Sequence, residues 1–147
     1  MFKKLNQPIN VSLINRLFFP NDLDEIEKIN KGRCFIWAYI AYQSFSNLEI
    51  WSMGSHAFVR SSVNKLFYDA EIDNGVDDWR DLPATNFGQG CGKACCKHPA
   101  EHHHCIEQFK YLWRGAAQWY DINWEKLDKH IKKKLKCDPI IKQSLSV

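Results

Sequence analysis

The segment CFIWAYIAYQSF, Cys34 to Phe45, constrains this chain more than any other. Its apolar and aromatic residues leave no polar side at a helical or a strand period, so whatever it forms must be covered on every face. Ala38 and Ala41 are small enough for close approach, and the segment predicts a central buried helix. The run is shorter than the roughly 18 to 20 apolar residues of a membrane span, so its cover has to come from the protein itself. The earlier stretch MFKKLNQPINVSLINRLFF has Asn and Arg interrupting its apolar part, and is read neither as a membrane anchor nor as a secretion signal.

At 147 residues the chain is expected to form a single domain, 1–147. Its parts are an N-terminal helical segment (1–31), the central helix with a β-meander (32–82), a Cys/His-rich loop (83–105) and C-terminal helices (106–147). Pro8 to Phe19 reads as a short apolar helix or an extended arm, ended near Pro20. Asn21 or Asp22 then caps a second helix with Leu23, Ile26 and Ile29 as its stripe, closed at Gly32. After Asn47, LEIWSM, HAFVR and KLFYDAEI read as three short strands, the last two joined by Ser-Ser-Val-Asn. Asn74-Gly75 marks a turn and WRDLPATNFGQGCGK a loop. Pro99 opens a helix with Ile106, Phe109, Leu112, Trp113, Ala116 and Tyr120 on one face. A last helix runs from Trp124 to about Lys136, with Trp124, Leu127, Ile131 and Leu135 inward. The fold class is α+β: a central helix packed on a short antiparallel sheet, with added C-terminal helices.

Cys34 stands where the central helix begins. Unpaired N–H groups and the helix dipole stabilise a thiolate there, and Lys31 and Arg33 act the same way. A nucleophilic thiolate needs a base within hydrogen-bond reach and a group that orients the base. His56 opens HAFVR and Asp69 follows LFY, so a hairpin between them brings the two ends side by side. Pairing His56 with Asp69 centres that hairpin between Ser62 and Val63. Pairing it with Glu71 moves the centre to between Val63 and Asn64, and the shorter option is the one expected.

The order GRC at a helix start, then HAFV, then LFYDAE, resembles that of the transglutaminase-like and papain-like cysteine enzymes. The resemblance implies a papain-like core in which the cysteine begins a helix packed on a sheet and the histidine and acid sit on adjacent strands. It implies a cysteine hydrolase or acyltransferase of peptidase, amidase, deamidase or transglutaminase type, acting on a protein or peptide substrate. Its triad would be Cys34, His56 and Asp69. Asn30, Gln7 or the backbone N–H of Cys34 is the candidate oxyanion donor.

The run CGKACCKHPAEHHHC holds four Cys and four His within fifteen residues. If Pro99 starts a helix, His98, His102 and Cys105 fall on one stripe, with Cys91, Cys95 and Cys96 on the loop before it. Four of these six form a candidate structural zinc site, since Zn(II) accepts thiolates and neutral imidazoles together. A redox disulfide between Cys91 and Cys95 or Cys96 is another reading. The crowding of cysteine with histidine is unlike a spaced disulfide framework, and a reducing, cytoplasmic setting is expected.

Formal charge is +3, but residues 1–90 carry nine Lys/Arg against eleven Asp/Glu, and residues 91–147 eleven against six. The basic excess peaks in HIKKKLK. Such a run is ordinarily the solvated face of a helix, and nucleic acid is not the expected partner. The rival reading of the whole chain is a non-catalytic, zinc-stabilised interaction module whose basic last helix meets an acidic protein or nucleic acid.

Overall fold

The structure, a computed structural model, describes residues 4–18, 33–53, 56–86, 101–103 and 105–137. Helix α1 is Val11–Phe18 and α2 is Cys34–Ser44. The sheet comprises β1 (Leu48–Met53), β2 (His56–Ser61), β3 (Phe67–Tyr68) and β4 (Glu101–His103). Short 3-10 turns occupy Trp79–Asp81 and Pro83–Asn86, and α3 (Ile106–Leu112), α4 (Arg114–Trp119) and α5 (Trp124–Cys137) follow β4. The expected helix capped at Asn21 or Asp22 lies outside the described residues.

Helix α2 forms where the sequence expects it, and its residues from Cys34 to Ala41 are all buried. Each large side chain so covered contributes about 1.5–3 kcal/mol, which makes α2 the centre of the main core. α1 starts after Asn10, whose Oδ1 accepts from Leu13 N at 3.0 Å and caps it. Its Leu13, Ile14 and Leu17 join that core. From the other end come Phe109, Ala117 and Ile131. The Trp113 ring stacks on Phe35 with centroids 5.5 Å apart. The N-terminal arm is tied to the end of α2 by Leu5 N donating to Ser44 O at 2.7 Å.

The sheet is antiparallel, in the order β3-β2-β1-β4. One face presents Ile50, Ala57, Val59 and Tyr68 to the main core. The opposite face carries Trp51, Phe58 and Phe67, which pack with Leu82 and Trp79 into a second, smaller cluster. Alternation along β2 therefore serves two cores.

Two expectations need correction. The helix starting at Pro99 does not form through residues 101–103: these pair with β1 as β4, Trp51 opposite His102, and the helix begins at Ile106 after Cys105. His102 and Cys105 thus do not share a helical stripe. A half-open sheet edge at β1 offers main-chain partners that an exposed polar helix cannot match. The helix is also split, with Trp113 between α3 and α4 at ψ 14°. The second correction concerns the hairpin. Val59 faces Tyr68 and Arg60 faces Phe67, which centres it between Val63 and Asn64, the longer register. KLFYDAEI contributes only Phe67 and Tyr68 as strand, because Lys65 takes φ +67° and the chain turns again at Ala70 and Glu71.

Candidate active site

Cys34 is the first residue of α2, beside the cationic Arg33. Its thiol faces β2, where Ala57 N–H donates to Cys34 Sγ at 3.3 Å. The reason lies in the shortness of β3. Ser61 N–H is given to Leu66 O on the β3 side, and alternate N–H groups of a strand point the same way. Ala57 N–H therefore points to that side as well, but β3 has already ended at Tyr68. The thiol takes the place of the missing strand. Had KLFYDAEI continued as a strand, the ladder would have claimed this donor.

His56 opens β2, as expected, and is 2% exposed. Its Nε2 lies 3.1 Å from Asp69 Oδ2, and Asp69 is fully buried. A carboxylate only accepts, so Nε2 carries the hydrogen. The contact forms although the register is the longer one. In this register Asp69 follows β3 as the residue diagonal to His56 on the same face, a distance that a histidine side chain spans. Glu71, which would stand directly opposite, has been carried to the surface by the turn, where its N–H donates to Asp69 Oδ1 at 3.0 Å. Both carboxylate oxygens of Asp69 are thereby engaged. The Phe58 ring stacks on His56 with centroids 5.6 Å apart and limits its rotation.

Burial opposes the imidazolium, yet hydrogen bonds to Asp69 and Cys34 and their negative charges prevail, and the His56 pKa is pushed up to about 9. Nδ1 is buried and has no hydrogen-bond partner of full geometry. With Nε2 held by Asp69, Nδ1 is the ring nitrogen left for the thiol. The arrangement places a thiol at a helix start, an imidazole with one basic nitrogen left over and a pinned carboxylate within one buried cluster. Such a cluster can form and hold a thiolate.

The other candidates fare differently. Gln7 lines a cleft with Ser61 and Asn64, at the end of β2 roughly 17 Å along the strand from His56, and so is not at the cluster. Asn30 lies outside the described residues, which leaves the Cys34 N–H among the oxyanion candidates described. Cys91, Cys95, Cys96 and His98 also lie outside them. Cys105 is exposed and forms no disulfide. Among the described residues no three His, Cys, Asp or Glu side chains are grouped to hold a metal ion, and no helix is long and apolar enough to cross a membrane.

Sequence reasoning missed Asn15. It is 4% exposed, accepts from Trp37 Nε1 at 2.7 Å and donates through Nδ2 to Ala70 O at 3.0 Å. The signal was a lone amide within the otherwise apolar stripe of VSLINRLF. Comparison with protein-family models, with curated proteins and with solved structures found no match to this chain.

Proposed function

We propose that this protein is a cysteine enzyme that cleaves or transfers an acyl group, with Cys34 as nucleophile, His56 as acid and base, and Asp69 as the residue that orients the imidazole. The observation that carries this reading is the convergence of the buried His56–Asp69 pair at 3.1 Å and the Ala57 N–H on Cys34 Sγ at 3.3 Å, at the start of a helix. Cysteine helix, histidine strand and acid follow one another as they do in a papain-like core, which the α+β layout accommodates.

In this mechanism Nδ1 of His56 takes the Cys34 proton, and the thiolate is held by the imidazolium, the Ala57 N–H and the helix end. The thiolate attacks an amide or ester carbonyl, and a C–S bond forms. As the C–N or C–O bond breaks, the imidazolium gives its proton to the leaving group, producing a thioester on Cys34. Water or an amine, deprotonated by Nδ1, then attacks the thioester and releases the acyl product with the thiol reprotonated. Asp69 holds Nε2–H throughout and stabilises the imidazolium.

Alkylation with iodoacetamide at mildly acidic pH, read by peptide mass spectrometry, tests the reading. Ordinary thiols ionise near pH 8.5, so Cys34 should react at least tenfold faster at pH 6 than the exposed Cys105 does, despite its burial. His56→Ala should remove that advantage. Equal or slower labelling of Cys34 would overturn the reading. Once a substrate is found, Cys34→Ala should lower turnover by several orders of magnitude.

A further inference from the structure

A cysteine, a histidine and a carboxylate act together only when their geometry holds to about half an ångström. Cys34 rides on α2 and His56 on β2, and these two elements share the main core and the Ala57 hydrogen bond. Asp69 has no such support from the sheet, because β3 ends one residue before it. Its local contacts are the turn bonds from Glu71 N to its Oδ1 and from Ile72 N to its carbonyl oxygen. These shape the turn but do not anchor it to the helix that carries the nucleophile.

Among the described residues, one buried hydrogen-bonded connection does. Trp37, one turn along α2 from Cys34, donates from Nε1 to Asn15 Oδ1, and Asn15 Nδ2 donates to the carbonyl of Ala70, the residue after Asp69. All three residues are at most 4% exposed. A primary amide in such surroundings costs stability unless both its ends are matched. Packing alone would favour Leu here. The amide instead joins residues 22 and 55 positions away in the chain.

We propose that Asn15 is a positioning residue, which ties the cysteine helix through Trp37 to the backbone beside Asp69 and so sets where the Asp69 carboxylate meets His56. This rests on the triad reading above. Without the link the Asp69 turn keeps the packing of Tyr68 and Ala70 in the core but loses its hydrogen-bonded tie to α1 and α2, and the His56 contact lengthens.

Two readouts in the full chain test it: the pH dependence of Cys34 alkylation, and the titration of the His56 ring followed by NMR. In Asn15→Leu, His56 should titrate about one unit lower, and the upper inflection of the Cys34 alkylation profile, which is set by the same imidazolium, should move down with it. Asn15→Ser, whose hydroxyl and an admitted water can bridge Trp37 and Ala70, should shift both less. If Asn15→Leu does not fold, the Ser variant is read alone, and it must still shift both. Ile131→Val, a core change on α5 away from the link, should lower the melting temperature and move neither readout. Unchanged profiles in both folded Asn15 variants, beside a reactive wild-type Cys34, would overturn the positioning role and leave the triad standing. An ordinary-thiol profile in the wild type would instead sink the triad itself and this inference with it.

Discussion

In the proposed chemistry His56 is the pivotal residue, and its surroundings make opposite demands on it. Removal from water disfavours the charged ring, while Asp69 and the Cys34 thiolate favour it. A histidine that titrates near 9 folded and near 6.5 unfolded contributes stability that is complete below about pH 6.5 and is lost as pH rises through about 9. Urea denaturation between pH 6 and pH 10 should therefore show a fall on the order of 3 kcal/mol, and the fall should be much smaller in Asp69→Asn. The two acids near His56 should separate in kinetics. Asp69→Asn keeps the shape but loses the charge on Nε2–H, and should lower kcat about 10²- to 10⁴-fold by analogy with other oriented histidines. Glu71→Gln changes an exposed carboxylate and should alter kcat less than about twofold, as surface substitutions generally do. A side-by-side assay with the reverse ranking would show that Glu71 and not Asp69 orients the ring.

Among the elements, the two-residue β3 matters most, because where it stops decides which donor the thiol meets. Its end is held from the far side by the return of the chain, where Phe67 and Val76 exchange backbone hydrogen bonds at 2.8 and 2.9 Å. That return passes through Gly75 at φ +77°, and a Cβ there would lie 2.8 Å from both Leu66 Cβ and the Tyr68 ring. Gly75→Ala should accordingly cost about 1–3 kcal/mol, from the left-handed backbone and the clash together. A urea midpoint that does not fall would mean that the turn relaxes without disturbing β3. Asn15 belongs to the same level of organisation, since it couples α1, α2 and the turn after β3, which share no regular hydrogen-bonding pattern.

At the level of the whole molecule, α2 is enclosed by the sheet on one side and by α1 and the C-terminal helices on the others. Tyr39 OH donates to Asp128 Oδ1 at 2.6 Å and links the centre of α2 to α5. Burial first, and the Asp128 carboxylate second, keep that phenol protonated well above its usual range. β4 lies within the Cys/His-rich run, so a metal bound between Cys91 and Cys105 would stiffen the segment that pairs with the edge of β1. From the density of ligand residues in that run we propose about one zinc per chain in protein purified without chelator, with a melting temperature lowered by chelation. Elemental analysis that finds no zinc, with a melting curve indifferent to chelator, would exclude a structural site.

Much of this was legible in the chain as a string of residues. An apolar run with no polar side can only be buried, and a cysteine placed at its start can only sit at a helix end, so α2 and Cys34 followed from local pattern alone. His56 at a strand start and its contact with Asp69 were also readable, but the hairpin takes the longer register and not the shorter one the sequence favours. Sequence periodicity tells which residues suit a strand and is silent on where pairing stops, because the end of β3 depends on the left-handed Lys65, the turn at Ala70 and the cover supplied by Val76. The strand 101–103 was missed for a like reason: a polar, histidine-rich stretch has no apolar alternation, and only a vacant edge on β1 makes it a strand. Asn15 shows the same division. Its identity stood in the sequence, whereas its partners, 22 and 55 residues away, exist only once three elements have packed. Burial and period are properties of neighbours along the chain; hydrogen-bond partners across it are chosen by tertiary structure, which must satisfy every donor and acceptor it removes from water.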